Sequence, residues 1–204
     1  MIKVGLIGCG FMGTMHANCY KTIPGVELAA VADIRAEKAQ EIAEGTAAVI
    51  YGDGKDLIAD AQLDIIDICL PTYLHTEFAL LAMDKVPYLF IEKPVALTVA
   101  ESDALLAKQK ETGCQVQIGQ VIRFWDEYVA LRQIVNSGKY GKVINANFRR
   151  ISPSPDWGWN DWLLKPGMVV YVEQEYNAPA NHCVSKYYDE ISRRCAFMNR
   201  TFLY

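Results

Sequence analysis

The sequence predicts an α/β protein, a doubly wound parallel sheet followed by an incomplete α+β second domain. Three observations carry this. Short continuous apolar runs alternate with helix-like stretches through about the first 120 residues. A glycine-rich turn joins the first run to the first helix. Beyond residue 120 the pattern becomes a helix followed by strict in-out alternation. A length of 204 residues corresponds to about one and a half ordinary domains, in keeping with one complete domain (1–120) and one partial domain (121–204).

The elements follow in order. Residues 2–7 form an apolar run that stops at Gly8, and a helix starts near Phe11 and reaches about Thr22. Pro24-Gly25 makes a turn, after which residues 26–32 are again nearly all apolar, as a strand buried on both faces requires. Residues 35–44 have helix composition. Residues 47–51, 63–70 and 87–91 read as further buried strands, separated by helical stretches near 56–60 and 76–85. Thr98-Val99-Ala100-Glu101 is a capping box: hydroxyl and carboxylate each satisfy a backbone N–H at a helix start, and Gly113 stops that helix. Residues 115–119 supply a sixth strand. Further on, Tyr128, Leu131, Ile134 and Val135 share one helical face, with Gly138 as the stop signal. Residues 143–151 alternate, Ile144, Ala146 and Phe148 against Asn145, Asn147 and Arg149, until two prolines at 153 and 155 end the strand.

Composition removes several function classes. Hydrophobic residues make up 51% and charged residues 22% of the chain, the balance of an ordinary globular protein rather than a disordered one. Apolar runs are too short to span a membrane. A net charge of -4, with no dense Lys/Arg run, argues against a nucleic-acid partner. The six cysteines occur without a Cys-x-x-Cys pair, so no metal site is expected. Four of them fall in or beside core elements, where cysteine acts as a small hydrophobe, and a reducing cytoplasm is the expected location.

The first chemistry lies in Gly8-Cys9-Gly10-Phe11-Met12-Gly13, a G-x-G-x-x-G turn that follows a strand and opens a helix. The first glycine makes the tight turn, the second lets backbone approach a pyrophosphate, and the third lets helix pack on strand. The helix N-terminus offers its positive dipole end to the phosphates. Asp33, 20 residues past Gly13 at the end of the second strand, stands where an acid binds the adenosine ribose hydroxyls. Context therefore points to a Rossmann-type dinucleotide-binding domain. The Asp33 carboxylate repels a 2′-phosphate and favours NAD over NADP; Arg35, two residues on, could instead pair with such a phosphate.

Ligands in such sheets bind beyond the carboxyl ends of the strands. Pro71-Thr72-Tyr73-Leu74-His75 follows the fourth strand and Glu92-Lys93-Pro94 the fifth. His75 reads equally as a solvated helix-start residue or a cofactor contact. A Glu-Lys pair between a buried strand and a proline sits where burial is expensive, which favours a paired or functional role. The Lys93–Pro94 bond is a candidate for the cis state.

These motifs, with His16, Val31-Ala32-Asp33 and Arg123-Phe124, resemble the glucose-fructose oxidoreductase, inositol dehydrogenase and MocA-like family over residues 2 to about 167. The resemblance implies an NAD(P)-dependent dehydrogenase or reductase acting on a sugar, cyclitol or related polyol. It also implies a second domain with a large, mostly antiparallel sheet that supports homo-oligomers. Carried over, Gly8, Gly10, Phe11, Met12 and Gly13 cradle the pyrophosphate. Thr72 and His75 lie near the nicotinamide half, Lys93 contacts the nicotinamide ribose and the reacting hydroxyl, and Glu92 beside it is a further cofactor-binding candidate. Arg123 and Trp162 are candidates for the substrate side.

Past Gly167 the resemblance ends. The family's glycine pair with its Asp and His is absent where residues 168–175 stand, and all 14 glycines lie at or before Gly167. The sequence therefore leaves two expectations for residues 168–204, a foreign or frameshifted tail and a divergent native segment. It also leaves two for the protein, an oxidoreductase of this family and a non-catalytic dinucleotide-binding remnant of one.

Overall fold

A computed structural model describes residues 1–60, 62–144 and 158–165. The described residues fall into two units, 1–119 with 158–165, and 120–144.

The first unit is a six-stranded parallel sheet in the order β3-β2-β1-β4-β5-β6. Its strands are β1 (Ile2–Ile7), β2 (Val26–Ala32), β3 (Val49–Tyr51), β4 (Ile65–Ile68), β5 (Tyr88–Ile91) and β6 (Gln115–Ile118). The helices between them are α1 (Phe11–Tyr20), α2 (Ala36–Ala43), α3 (Gly54–Asp60), α4 (Thr72–Ala82) and α5 (Val99–Thr112). Alternating side chains feed two cores. Leu6, Leu28 and Val31 pack with Ala17 of α1 and with Ala39 and Ile42 of α2. Ile7, Ile66, Ile68, Leu89, Ile91 and Ile118 pack with residues of α3, α4 and α5, among them Leu57, Phe78 and Leu105. Each such aliphatic side chain contributes about 1.5–3 kcal/mol by leaving water, which fixes which face every strand turns to which helices.

The strand order reverses at β1, so the chain leaves β1 and β4 side by side at the switch point where ligands bind in open sheets. Two backbone bonds close that end: Gly8 N–H donates to Ala32 O at 2.8 Å and Cys69 N–H to Ile7 O at 2.8 Å.

Most expectations for this unit hold within a few residues. The capping box is complete, with Glu101 N–H donating to Thr98 Oγ1 at 3.2 Å and Thr98 N–H to Glu101 Oε2 at 2.8 Å. Gly113 ends the helix in the left-handed region at φ 73°. Helix α4 begins at Thr72, four residues before the expected start, with Pro71 as its extended N-cap, a position whose N–H the helical ladder does not need. The four described cysteines are free; Cys9 and Cys114 are buried, whereas Cys19 is exposed and Cys69 half-buried. The Lys93–Pro94 peptide is cis. No helix among the described residues is long and apolar enough to cross a membrane.

The second unit holds a 3-10 turn at Val121–Phe124 and α6 (Asp126–Asn136), whose Tyr128, Leu131, Ile134 and Val135 are exposed. Of the expected strand at 143–151, Val143 and Ile144 are irregular and the rest lies outside the described residues, as does the tail 168–204. Segment 158–165, which the sequence places in the second domain, packs with the first unit instead. It is a 3-10 turn, Trp159–Leu164, in which Asn160 and Asp161 adopt positive φ and Leu163 is buried.

Candidate dinucleotide site

A cavity of about 470 Å³ runs along the carboxyl ends of β1, β2, β4 and β5. Its floor is the glycine turn. Gly8 has φ +97°, and a Cβ there would lie 2.6 Å from Cys69 O, so only glycine lets β1 and β4 meet. A Cβ on Gly13 would lie 1.9 Å from Gly8 O, so the third glycine lets α1 rest on the turn. Gly10 differs: among the described residues nothing lies within 4 Å of its Cβ position. That open space faces the cleft, and Gly10, as N-cap of α1, brings no side-chain oxygen to the helix start. A backbone cradle with an uncapped helix N-terminus and room beside it fits a pyrophosphate. Phe11 and Met12 line the same cleft.

At the β2 end, Asp33 Oδ2 accepts from Cys9 N–H at 2.8 Å and Oδ1 from Arg35 N–H at 2.8 Å. The Arg35 side chain adds a fork, Nε to Oδ1 and Nη2 to Oδ2, each at 3.0 Å. Burial works against the Asp33 charge, but the Arg35 side chain, the two backbone donors and the Arg35 charge outweigh it and hold the carboxyl below its ordinary range. Burial, then the Asp33 charge, pushes the Cys9 thiol up to about 12, so Cys9 is inert filler beneath the turn. Arg35 Cζ lies 5.4 Å from the centroid of the Trp159 ring, a cation–π contact on the cleft wall.

At the β5 end the Glu-Lys pair divides. Glu92 is buried, and its Oε2 accepts from Lys93 N–H at 2.9 Å. Lys93 is exposed and lines the cleft. Both residues line the cleft, Glu92 buried and tied to the Lys93 main chain, Lys93 exposed.

Thr72 and His75 do not line the cavity; both are buried behind it. His75 Nδ1 lies 2.8 Å from Pro94 O and Nε2 2.7 Å from Leu70 O, so the ring sits between two loops that do line the cleft and, neutral, donates to one of them. Burial pushes its pKa down. Trp162 is half-buried on the cleft wall, whereas Arg123 is exposed on the 3-10 turn of the second unit.

Sequence reasoning missed one functional-looking group. Asp67 sits in the stretch read as an apolar strand, yet it is fully buried and accepts from His16 Nδ1 and Tyr20 Oη, both at 2.8 Å. The signal was a lone carboxylate between Ile66 and Ile68, which cannot be buried without a partner.

Residues 2–120 match the oxidoreductase family with an NAD-binding Rossmann fold, GFO_IDH_MocA. The inositol 2-dehydrogenase of Salmonella typhimurium strain LT2 is 34% identical over 157 residues, covering 75% of this chain and 47% of that protein. The myo-inositol 2-dehydrogenase of Thermotoga maritima is 29% identical over 157 residues, covering 76% and 47%. The crystal structure of myo-inositol dehydrogenase from Lactobacillus casei in complex with NAD(H) and myo-inositol aligns with a TM-score of 0.65 at 28% identity, over 69% of this chain and 43% of that one. The chain spans about half the length of the curated relatives it matches. With the strand order, the glycine cradle and Asp33 in place, the match over 2–120 makes the chain a member of the GFO_IDH_MocA oxidoreductase family, its first unit an NAD-binding Rossmann domain.

Proposed function

We propose that the chain is the NAD-binding part of an oxidoreductase that moves a hydride between a nicotinamide and a cyclitol or related polyol. The single observation that carries this is the division of Glu92-Lys93: a buried carboxylate ties down the main chain, and the next residue presents an ammonium to the cleft. When bound, the nicotinamide supplies the hydride donor or acceptor. Gly8, Gly10, Phe11, Met12 and Gly13 hold the pyrophosphate, and Asp33, with Arg35 beside it, takes the adenosine ribose. Lys93 donates to the hydroxyl that is oxidised and holds it in line for transfer. Thr72 and His75 lie buried behind the site, His75 between the Leu70 and Pro94 loops that line it. Trp162 offers an apolar face to the polyol ring.

A second reading has its own observation. The glycine pair with Asp and His, from which the resemblance would draw a proton acceptor, does not occur after Gly167. On that reading the 204-residue chain binds NAD and does not turn over. Loss of such a general base costs about 10²–10⁴-fold. Assay of the chain with NAD against a panel of cyclitols and sugars separates the two. Turnover of about one per second establishes the oxidoreductase reading for this chain; saturable NADH binding without turnover establishes the second. In a full-length relative with the same Glu-Lys-Pro tripeptide, replacing the matching lysine by methionine should cost turnover strongly; unchanged turnover removes Lys93 from the catalytic set.

A further inference from the structure

His16 belongs to the motif set but has no place in the cofactor contacts above. It lies in the second turn of α1, and its two ring nitrogens face two carboxylates. Nδ1 is 2.8 Å from Asp67 Oδ2 at the end of β4, and Nε2 is 3.4 Å from Glu92 Oε1 just past β5. Tyr20 Oη donates to the same Asp67 oxygen at 2.8 Å. Cys69 Sγ lies 3.3 Å from His16 Nδ1 and donates to Asp67 Oδ1 at 3.5 Å. The Phe90 ring meets the imidazole edge to face, centroids 5.4 Å apart. From β6, Gly119 closes over Glu92, leaving a Cβ there only 2.7 Å from Oε1.

Two carboxylates at adjacent strand ends, both nearly inaccessible to water, are costly to bury and repel each other. A ring that donates from both nitrogens offsets both effects at once. Burial opposes the charge on His16, but its hydrogen bonds to Asp67 and Glu92 and their charges prevail, raising its pKa to about 10. The imidazolium therefore joins α1, whose N-terminus faces the pyrophosphate, to the ends of β4 and β5. The residues that follow those ends, Leu70, Pro71, Lys93 and Pro94, line the cleft. In this fold the adenosine half lies over β1 and β2 and the nicotinamide half over β4 and β5.

We infer that His16 is a positioning residue for the nicotinamide half of the site: by joining Asp67 to Glu92 it fixes the two walls of that half against the pyrophosphate-binding helix. The inference rests on the NAD-binding reading above. It assigns His16 no contact with the cofactor. It distinguishes His16 from a general core residue, because the adenosine half, held at Asp33, does not depend on this bridge.

The test compares NADH with ADP, which occupies only the adenosine half. In the 204-residue chain, His16→Gln should weaken NADH at least fivefold and leave ADP within twofold of the unmodified protein. Equal weakening of both ligands, or no change in either, overturns the inference. If His16→Gln does not fold by circular dichroism, imidazole resonances of the unmodified ¹⁵N-labelled chain give the same decision. The His16 ring signals should move on saturation with NADH and stay in place with ADP, whereas equal responses, or none, overturn the inference. An unmodified chain that binds neither ligand overturns the NAD-binding reading and the inference with it; both ligands bound without the split overturns the inference alone.

Discussion

Arg35 grips both carboxylate oxygens of Asp33, Nε on Oδ1 and Nη2 on Oδ2, each at 3.0 Å. With the Cys9 and Arg35 backbone donors, the carboxylate accepts four hydrogen bonds, about its full lone-pair capacity. A ribose diol can reach Asp33 only by displacing the guanidinium fork. Arg35, already against Trp159, then has an aromatic face to remain on. On the proposed reading a 2′-phosphate would meet the Asp33 charge as the fork opens, and NAD is preferred.

Asp33→Ala should therefore weaken NADH by about 10- to 100-fold, the worth of charged hydrogen bonds of about 1.5–3 kcal/mol, and NADPH by less. Titration of nicotinamide fluorescence checks it, and an unchanged ratio of the two affinities would remove Asp33 from cofactor selection.

The two glycines that bracket the helix start should separate stability from binding. Gly13→Ala puts a methyl 1.9 Å from a backbone oxygen that cannot move without the whole turn. It should cost about 1–3 kcal/mol in unfolding free energy and lose NADH binding. Gly10→Ala meets no described atom of the chain, so its melting temperature should stay put while NADH binding falls at least tenfold. Thermal melts beside titrations read both.

Stability should decline in alkali through His16. Its pKa is raised from 6.5 to about 10 in the folded chain, so the stabilisation is complete below pH 6.5 and lost as pH rises towards 10. Within that window the slope reaches at most about 1.4 kcal/mol per pH unit for one proton. Urea unfolding of the unmodified chain and of His16→Gln between pH 6.5 and 10 should show this decline in the first and a flatter profile in the second. Parallel profiles would mean that His16 is not charged in the folded chain.

The sheet and its glycine turn were legible because each needs a local pattern: continuous apolar runs for strands buried on both faces, and three glycines where two backbones and a helix crowd together. The position of Asp33 at the cleft end of β2 was legible from its spacing. The His16–Asp67–Glu92 bridge was not, since its members are 51 and 25 residues apart in the chain and meet only once β1, β4 and β5 are side by side. Thr72 and His75 stand at the expected end of β4, yet both fall on the buried side of α4, behind the wall. No local rule says which side of a helix start faces a cleft. Segment 158–165 joined the first unit through Leu163 and the Arg35–Trp159 contact, a tertiary choice invisible in composition.

The most direct measurement is a pair of equilibrium titrations of the purified 204-residue chain, one with NADH and one with NADPH, followed by nicotinamide fluorescence. A cradle at residues 8–13 with Asp33 at the ribose predicts saturable NADH binding at one site per chain, with NADPH at least tenfold weaker. No saturable binding, or NADPH bound tenfold more tightly than NADH, would contradict it.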